Sequence, residues 1–259
     1  MATYSYTLKI LQGTSEYVLK ELKEKYPNIQ IVKVGNTEIL LNSDIEDINN
    51  FRNLYSPTHI SNSRGNTLNL SKRDWRVEYV SAGINPSLAY ILCMIANLEK
   101  DNILLDPFCG SSVIPITAIK HFNIKRVICS DISGNAIDAS KKNFIAANVD
   151  ESKYKIFRND ITNSKISKRN VDRIVSNLPF GIRVGDHESN IKLYQALDVL
   201  ARKVLRKKGV IVLLTQEKVL LREVFSKDIW SVKSILRVNE GGLFPEVFLI
   251  KPKELFKQK

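Results

Sequence analysis

Ile174-Val175-Ser176-Asn177-Leu178-Pro179-Phe180-Gly181 joins an apolar, β-branched run to an amide, a proline, an aromatic ring and a glycine. Such a run reads as a buried strand whose C-terminal end opens into a rigid loop. In an open α/β sheet, that end is where ligands bind. Asn177 offers a neutral side-chain oxygen, Pro179 restricts the backbone so that the Leu178 carbonyl can point the same way, and Phe180 supplies a flat face. Two acceptors and a ring suit a planar exocyclic amine. An Asn-x-Pro at a strand end also occurs as a capped turn, so the rest of the chain must decide.

Outward from this stretch, strand and helix patterns alternate from Asn85 onward, the signature of a doubly wound parallel sheet. Asn85-Pro86-Ser87 starts a helix reaching Leu98. Strands are expected over 103–106, 127–131, 154–157, 172–177 and 210–215. Ser111 or Ser112 caps a helix whose early Pro115 is tolerable in a first turn, and a third helix spans 134–147. A long amphipathic helix is expected from about 190 to 207, ended by Gly209, and a shorter one over 217–225. Strands over 231–238 and 247–250, flanking Gly241-Gly242, form a hairpin at one edge.

The N-terminal residues follow a different rhythm. A strand over 4–11 leads through Gly13-Thr14-Ser15-Glu16 into a helix that Pro27 stops. Gly35-Asn36 joins two β-rich runs as a hairpin, Asp44 caps a second helix to about 54, and 58–61 returns as a strand. This is the order of a small α+β ferredoxin-like unit. The expected domains are therefore 1–62, a linker over 63–78 that includes a strand near 67–70, and 79–259.

The strand ends of the large domain carry a set of acids. Asp106-Pro107-Phe108-Cys109-Gly110-Ser111 follows its first strand as a tight loop that must pass close to a ligand. Asp131 closes the second strand, where a carboxylate can accept both hydroxyls of a ribose. Asp160, beside Ile161, follows the third, where it can take an adenine amine while the aliphatic neighbour packs on the ring. Each acid alone reads as a strand-end or capping residue. Their succession, with Asn177 at the fourth strand, points to one nucleotide-like ligand. The absence of a glycine-rich pyrophosphate site argues against a dinucleotide and hence against an oxidoreductase.

The chain of 259 residues carries 39 Lys and Arg against 27 Asp and Glu, a net charge of +12. That excess suits a polyanion, since cations gain binding free energy by releasing counterions from phosphates. Biased codon composition is a second explanation for the abundance of Lys, Asn and Ile, so placement counts for more than the total. Lys72, Arg73 and Arg76 cluster ahead of the large domain. A second cluster, Arg202 to Lys208, also reads as the cationic end of a helix. Three cysteines without Cys-x-x-Cys spacing support neither a disulfide framework nor a zinc site. With no signal peptide or spanning segment in view, a cytoplasmic protein is expected, with no membrane association and no metal.

Asn-Leu-Pro-Phe-Gly at 177–181 resembles the catalytic motif of S-adenosylmethionine-dependent amino-methyltransferases, usually Asn/Asp-Pro-Pro-Tyr/Phe. Its leucine and its Phe-Gly ending are more similar to the tRNA guanine-N2 methyltransferases related to the THUMP-domain family than to adenine-N6 enzymes. The resemblance runs from about residue 76 to the C-terminus. It implies a Rossmann-like class I methyltransferase fold, S-adenosyl-L-methionine as cofactor and the guanosine N2 amine of tRNA as acceptor. It further implies that Asp106, Pro107, Cys109, Gly110 and Ser111 hold the methionine part, Asp131 and Ile132 the ribose, and Asp160 and Ile161 the adenine. Asn177, Leu178, Pro179 and Phe180 become catalytic, and Lys72, Arg73, Arg76 and Arg183 bind RNA. Two departures are visible. The loop has Gly-Ser-Ser where relatives usually have Gly-Ser-Gly, and the stretch between the small unit and the catalytic one is expected to be too short to hold a THUMP domain. Alternatives kept open are adenine N6 or a protein glutamine as acceptor, and a non-catalytic RNA-binding subunit. The residues do not decide between a partner protein, a homo-oligomer and a monomer.

Overall fold

Alternation of apolar and polar residues sets the first sheet. In β1 (Tyr4–Lys9), Tyr6 and Leu8 point inward and their neighbours outward, as a strand with one buried face requires. A computed structural model describes residues 3–164, 166, 170–180, 187–239 and 242–253 of the chain. Gly181, Arg183 and Gly241, singled out above, lie outside the described residues. β1 continues through α1 (Ser15–Lys25) to β2 (Gln30–Val34) and β3 (Glu38–Ser43), and then to β4 (His59–Asn62) and β5 (Thr67–Asn69). The strands lie in the order β2-β3-β1-β4-β5, all antiparallel. The first four reproduce the expected ferredoxin-like order. Val18 and Leu22 of α1 close the core against Ile39, Leu41, Phe51 and Ile60.

Two expectations change here. The second helix is a single 3-10 turn, Ile48–Phe51, started by Asp47, whose carboxylate accepts the Asn49 amide at 2.9 Å. Asp47, Asn49 and Asn50 favour such local side-chain bonds over continued helix, which explains the shortening. β5 also extends the sheet to Asn69, so the connection begins after residue 69 rather than 62.

The second sheet holds seven strands: β6 (Ile103–Asp106), β7 (Arg126–Asp131), β8 (Tyr154–Arg158), β9 (Val171–Asn177), β10 (Leu205–Thr215), β11 (Trp230–Arg237) and β12 (Glu246–Pro252). Their order is β11-β12-β10-β9-β6-β7-β8. β12 alone runs opposite to the other six strands, and it is inserted between β10 and β11. The central strands are buried on both sides, which is why they read as continuous apolar runs. Ile174 and Val175 of β9 are wholly inaccessible, and each such burial stabilises by roughly 1.5–3 kcal/mol. Helices α2 (Pro86–Ile95), α3 (Val113–Phe122), α4 (Gly134–Ala146), α5 (His187–Val204) and α6 (Lys218–Val224) flank the sheet. Asn85 caps α2 by accepting the Ser87 amide at 2.8 Å.

The long helix also departs from expectation. α5 ends at Val204 and the chain passes at once into β10, so Gly209 lies within the strand, where the register with β9 shifts between Leu205 and Val210. Arg206 is not a helix-end cation but pairs with Asp172 at 2.8 Å.

The two sheets meet along a seam of buried polar groups. Glu21 is fully buried, and its carboxylate accepts Tyr55 N at 2.9 Å, Ser56 N at 2.8 Å, Ser56 Oγ at 2.5 Å and Lys25 Nζ at 2.6 Å. Tyr55 in turn stacks on His121 and Tyr90 of the larger unit, with ring centroids 3.8 and 5.4 Å apart. Gly13, at φ +88°, approaches Arg237 so closely that a Cβ would lie 2.4 Å from its carbonyl oxygen. Only glycine is tolerated at that contact.

Candidate active site

Strand order reverses between β6 and β9: the chain winds one way through β6, β7 and β8 and the other way through β9 and β10. Such a switch point opens a crevice at the C-terminal strand ends. Parallel pairing of β6 with β9 stops at Leu105 and Ile174, ahead of the ends of both strands. A cavity of about 960 Å³, counted to its open mouth, begins there. Every residue expected at the cofactor lines it, Asp106, Pro107, Cys109, Gly110, Ser111, Asp131, Ile132, Asp160 and Ile161 together, with Asn177, Leu178 and Pro179 at the far side.

The acids are held differently from one another. Asp106 is buried, and its Oδ1 accepts Ser176 Oγ at 2.5 Å and Phe108 N at 3.2 Å. Burial pushes its carboxyl up to about 7, against the opposing pull of those two hydrogen bonds. Asp131 accepts Gly110 N at 2.9 Å on one oxygen and Ser133 N at 2.9 Å on the other, pinning the 107–112 loop to the start of α4. Asp160 accepts the Thr162 amide at 2.9 Å and caps the 3-10 turn Ile161–Asn163. The capping reading of Asp160 thus holds, and its position on the cavity wall holds with it. Ile132 is 58 % exposed, a large apolar group left facing the crevice.

Loop geometry accounts for the Gly-Ser-Ser departure. Gly110 has φ +52°, and a Cβ there would press to 3.2 Å on Val80 Cγ2. Ser112 also has φ +61°, the left-handed region a glycine adopts freely. Its buried hydroxyl shares a 2.5 Å hydrogen bond with Ser140 Oγ, which offsets the strain.

A segment that sequence reading placed only as a domain start forms a further wall: Val80, Ser81, Ala82 and Ile84 line the cavity. It is clasped by Asn143, fully buried on α4, which accepts the Val77 and Glu78 amides at 3.0 and 2.9 Å and donates to the Glu78 and Ser111 carbonyls, both at 3.0 Å. The Ala82 carbonyl then accepts Asn177 Nδ2 at 3.2 Å. That bond fixes which end of the amide is which. Asn177 Oδ1 is buried and has no hydrogen-bond partner among the described residues. The Ser111 hydroxyl on the same wall is likewise buried and unpartnered among them. Buried polar atoms of this kind call for a ligand or a solvent molecule. The donor set, carboxylates with hydroxyl and amide oxygens in an otherwise apolar cleft, fits a cationic adenosyl cofactor.

The remaining expected residues lie elsewhere. Phe180 is half-buried, packs against the larger core cluster and is not among the residues that line the cavity. Arg73 corrects the basic-cluster reading. It is 8 % exposed, donates to the Leu70, Lys72 and Tyr55 carbonyls and lies 5.2 Å from the Tyr55 ring, a structural arginine at the seam. Desolvation lowers its pKa to about 10. Arg76 stacks on Tyr79 at 4.6 Å, and Lys72 is exposed. Among the described residues no group of three or more His, Cys, Asp or Glu could hold a metal, and no helix is long and apolar enough to cross a membrane.

Residues 73–246 match the family described as UPF0020, the RMKL-like methyltransferase domain. The chain belongs to this family. A tRNA (guanine(6)-N2)-methyltransferase of Methanocaldococcus jannaschii is 25% identical over 218 residues, 70% of this chain and 57% of that protein. The tRNA (guanine(6)-N(2))-methyltransferase THUMP3 of Mus musculus is 29% identical over 182 residues, 65% of this chain and 36% of that protein. The chain thus spans between about a third and rather more than half of these relatives. Among solved structures, TrmN from Thermus thermophilus superimposes with a TM-score of 0.84 at 17% identity, covering 96% of this chain and all of that one. SMU.472 complexed with SAH gives 0.78 at 14% identity, covering 98% and 100%. These likenesses establish the fold as that of a class I methyltransferase with an α+β N-terminal unit.

Proposed function

We propose that this methyltransferase-family protein transfers a methyl group from S-adenosylmethionine to the exocyclic N2 amine of a guanosine in tRNA, acting in the cytoplasm. The observation that carries the reading is the Asn177 amide: its nitrogen is committed to the Ala82 carbonyl and its oxygen is left as a buried acceptor. A buried acceptor with no partner among the described residues gains a full hydrogen bond when an amine N–H reaches it. The relatives' tRNA guanine-N2 methyltransferase activities support the choice of guanine N2 and tRNA.

When bound, S-adenosylmethionine supplies an electrophilic methyl carbon on a sulfonium. Asp106 and the 107–111 loop would hold its methionine part, Asp131 and Ile132 the ribose, and Asp160 and Ile161 the adenine edge. Asn177 Oδ1 and the Leu178 carbonyl would accept the two N–H bonds of the guanine amine. That rehybridises the nitrogen and aims its lone pair at the methyl carbon. Transfer would form one N–C bond and break one C–S bond, and Asn177 and Leu178, both neutral acceptors, would leave the released proton to solvent. A neutral amide is a poor base, so positioning supplies most of the rate enhancement. Lys72 and Arg183 are the proposed phosphate contacts. A base taken from a helix must first leave the stack, at a cost of a few kcal/mol, and such contacts offset part of it.

The test is methyl transfer from labelled cofactor to bulk tRNA, with nucleosides resolved by mass spectrometry. N2-methylguanosine should form with the wild type and fall at least about 100-fold in Asn177→Ala, while calorimetry shows cofactor affinity within about threefold of wild type. N6-methyladenosine as product, or equal loss of transfer and cofactor binding, would overturn the assignment.

A further inference from the structure

We propose that Tyr194 of α5 and Thr215 of β10 are positioning residues for the Asn177-Leu178-Pro179 loop, acting through an ordered hydrogen-bond relay onto the Pro179 carbonyl. The meaning of this for catalysis rests on the function proposed above; the positioning itself rests on geometry. Tyr194 is fully buried, and its hydroxyl lies 3.1 Å from Pro179 O and 2.6 Å from Thr215 Oγ1. Thr215 Oγ1 also accepts the Glu217 amide at 2.9 Å.

Donor counting gives the relay one direction. A carbonyl can only accept, so Tyr194 must spend its single proton on Pro179 O. The contact between the two hydroxyls is then made by the Thr215 proton, and Thr215 Oγ1 remains an acceptor for Glu217 N–H. The chain runs from Glu217 N through Thr215 Oγ1 and Tyr194 Oη to Pro179 O, with every group in it satisfied. Burial pushes the Tyr194 phenol well above its ordinary range, which keeps the proton in place at any working pH.

The relay matters because of where it ends. Proline has no N–H, so the carbonyl is the sole backbone handle on residue 179. One residue earlier, Leu178 N donates to Leu214 O at 3.0 Å. Leu214 and Thr215 are adjacent on β10, so one strand end grips the loop at two points. Between those grips the Pro179 ring fixes φ, leaving the Leu178 carbonyl little freedom to turn. That carbonyl is the second acceptor in the proposed chemistry. A tyrosine buried merely for packing would be replaced by phenylalanine without consequence for the loop.

Three variants of the full chain test this: Tyr194→Phe, Thr215→Val and Thr215→Ser. Hydrogen exchange followed by mass spectrometry on a peptide spanning residues 175–180 reads the loop directly and needs no substrate. Exchange there should quicken about tenfold in Tyr194→Phe and Thr215→Val and return to the wild-type rate in Thr215→Ser. With tRNA and cofactor, kcat should fall about 10- to 100-fold in the first two variants, with the cofactor dissociation constant unchanged and recovery in Thr215→Ser. Unchanged loop exchange in a folded Tyr194→Phe protein would overturn the relay, as would kcat within twofold of wild type. Should the wild type methylate no tRNA, the functional reading fails, and the exchange experiment still decides the relay.

Discussion

Glu21 at the seam and Asp106 at the switch point are both buried carboxylates, and their surroundings differ in kind. Glu21 meets four donors from three residues, so its charge is fully answered within the fold. Asp106 has two donors, a carboxyl pushed up to about 7 by burial, and buried oxygens of Asn177 and Ser111 nearby with no partner among the described residues. A saturated network holds pieces together, whereas one left open is built to receive something.

The comparison breaks most visibly at Glu21. Glu21→Ala strands the Tyr55 and Ser56 donors and should cost about 3–5 kcal/mol in chemical denaturation, while the folded fraction keeps its cofactor affinity. A loss below about 1 kcal/mol would mean that the seam is not what joins the two sheets.

Asp106→Asn should act in the opposite sense and depend on pH. An acid whose pKa rises from 3.8 unfolded to about 7 folded contributes stability that is fully present below pH 4 and lost as pH climbs through 7. Asparagine keeps the shape without the titration. The variant should therefore be more stable than wild type by about 2–4 kcal/mol at pH 8 and equal to it near pH 4, read from thermal melts across pH. Cofactor binding to the wild type should release a proton near pH 6.5, seen as a buffer-dependent binding enthalpy, because a cation favours the ionised carboxylate. Melts with the same pH slope for both proteins would show that Asp106 is not the strained group.

The smallest effect separates two neighbours. Arg73→Ala, which uncaps three carbonyls, should lower stability by about 1–3 kcal/mol. Lys72→Ala should leave stability within about 0.5 kcal/mol and flatten the salt dependence of RNA affinity by at most about one charge. Equal effects on stability would erase the distinction between them.

The parts of the site that sequence reading found share one property: they sit at strand ends, where an apolar run breaks at a polar residue. Asp106, Asp131, Asp160 and Asn177 are all of this kind, and the parallel topology brings them together without further instruction. What escaped was held by distant partners. The 80–84 wall has no periodicity, and the residue that clasps it, Asn143, stands more than sixty positions away on a helix face that reads as ordinary. Tyr194 fits the apolar stripe of α5 and betrays its hydroxyl only when Pro179 and Thr215 are seen beside it. Arg73 looked like its exposed neighbour Lys72 because charge is visible in sequence and carbonyl clustering is not. Gly209 reads as a helix stop because glycine commonly is one, whereas the chain enters β10 directly after Val204 and carries Gly209 through a register shift in that strand.

The placing of β12 has a bearing on how the protein comes into being. β10 and β11 do not touch as ladder partners; each pairs instead with a strand that follows both of them in the sequence. Until residues 246–252 emerge from the ribosome, the nascent sheet carries two bare edges flanking an empty slot, one of them the apolar run Ile211 to Leu214. Unfilled edges of that sort invite strands from other molecules. Completion of this sheet therefore waits on β12, and the slot is the point at which a chain interrupted before residue 246 would become prone to aggregate.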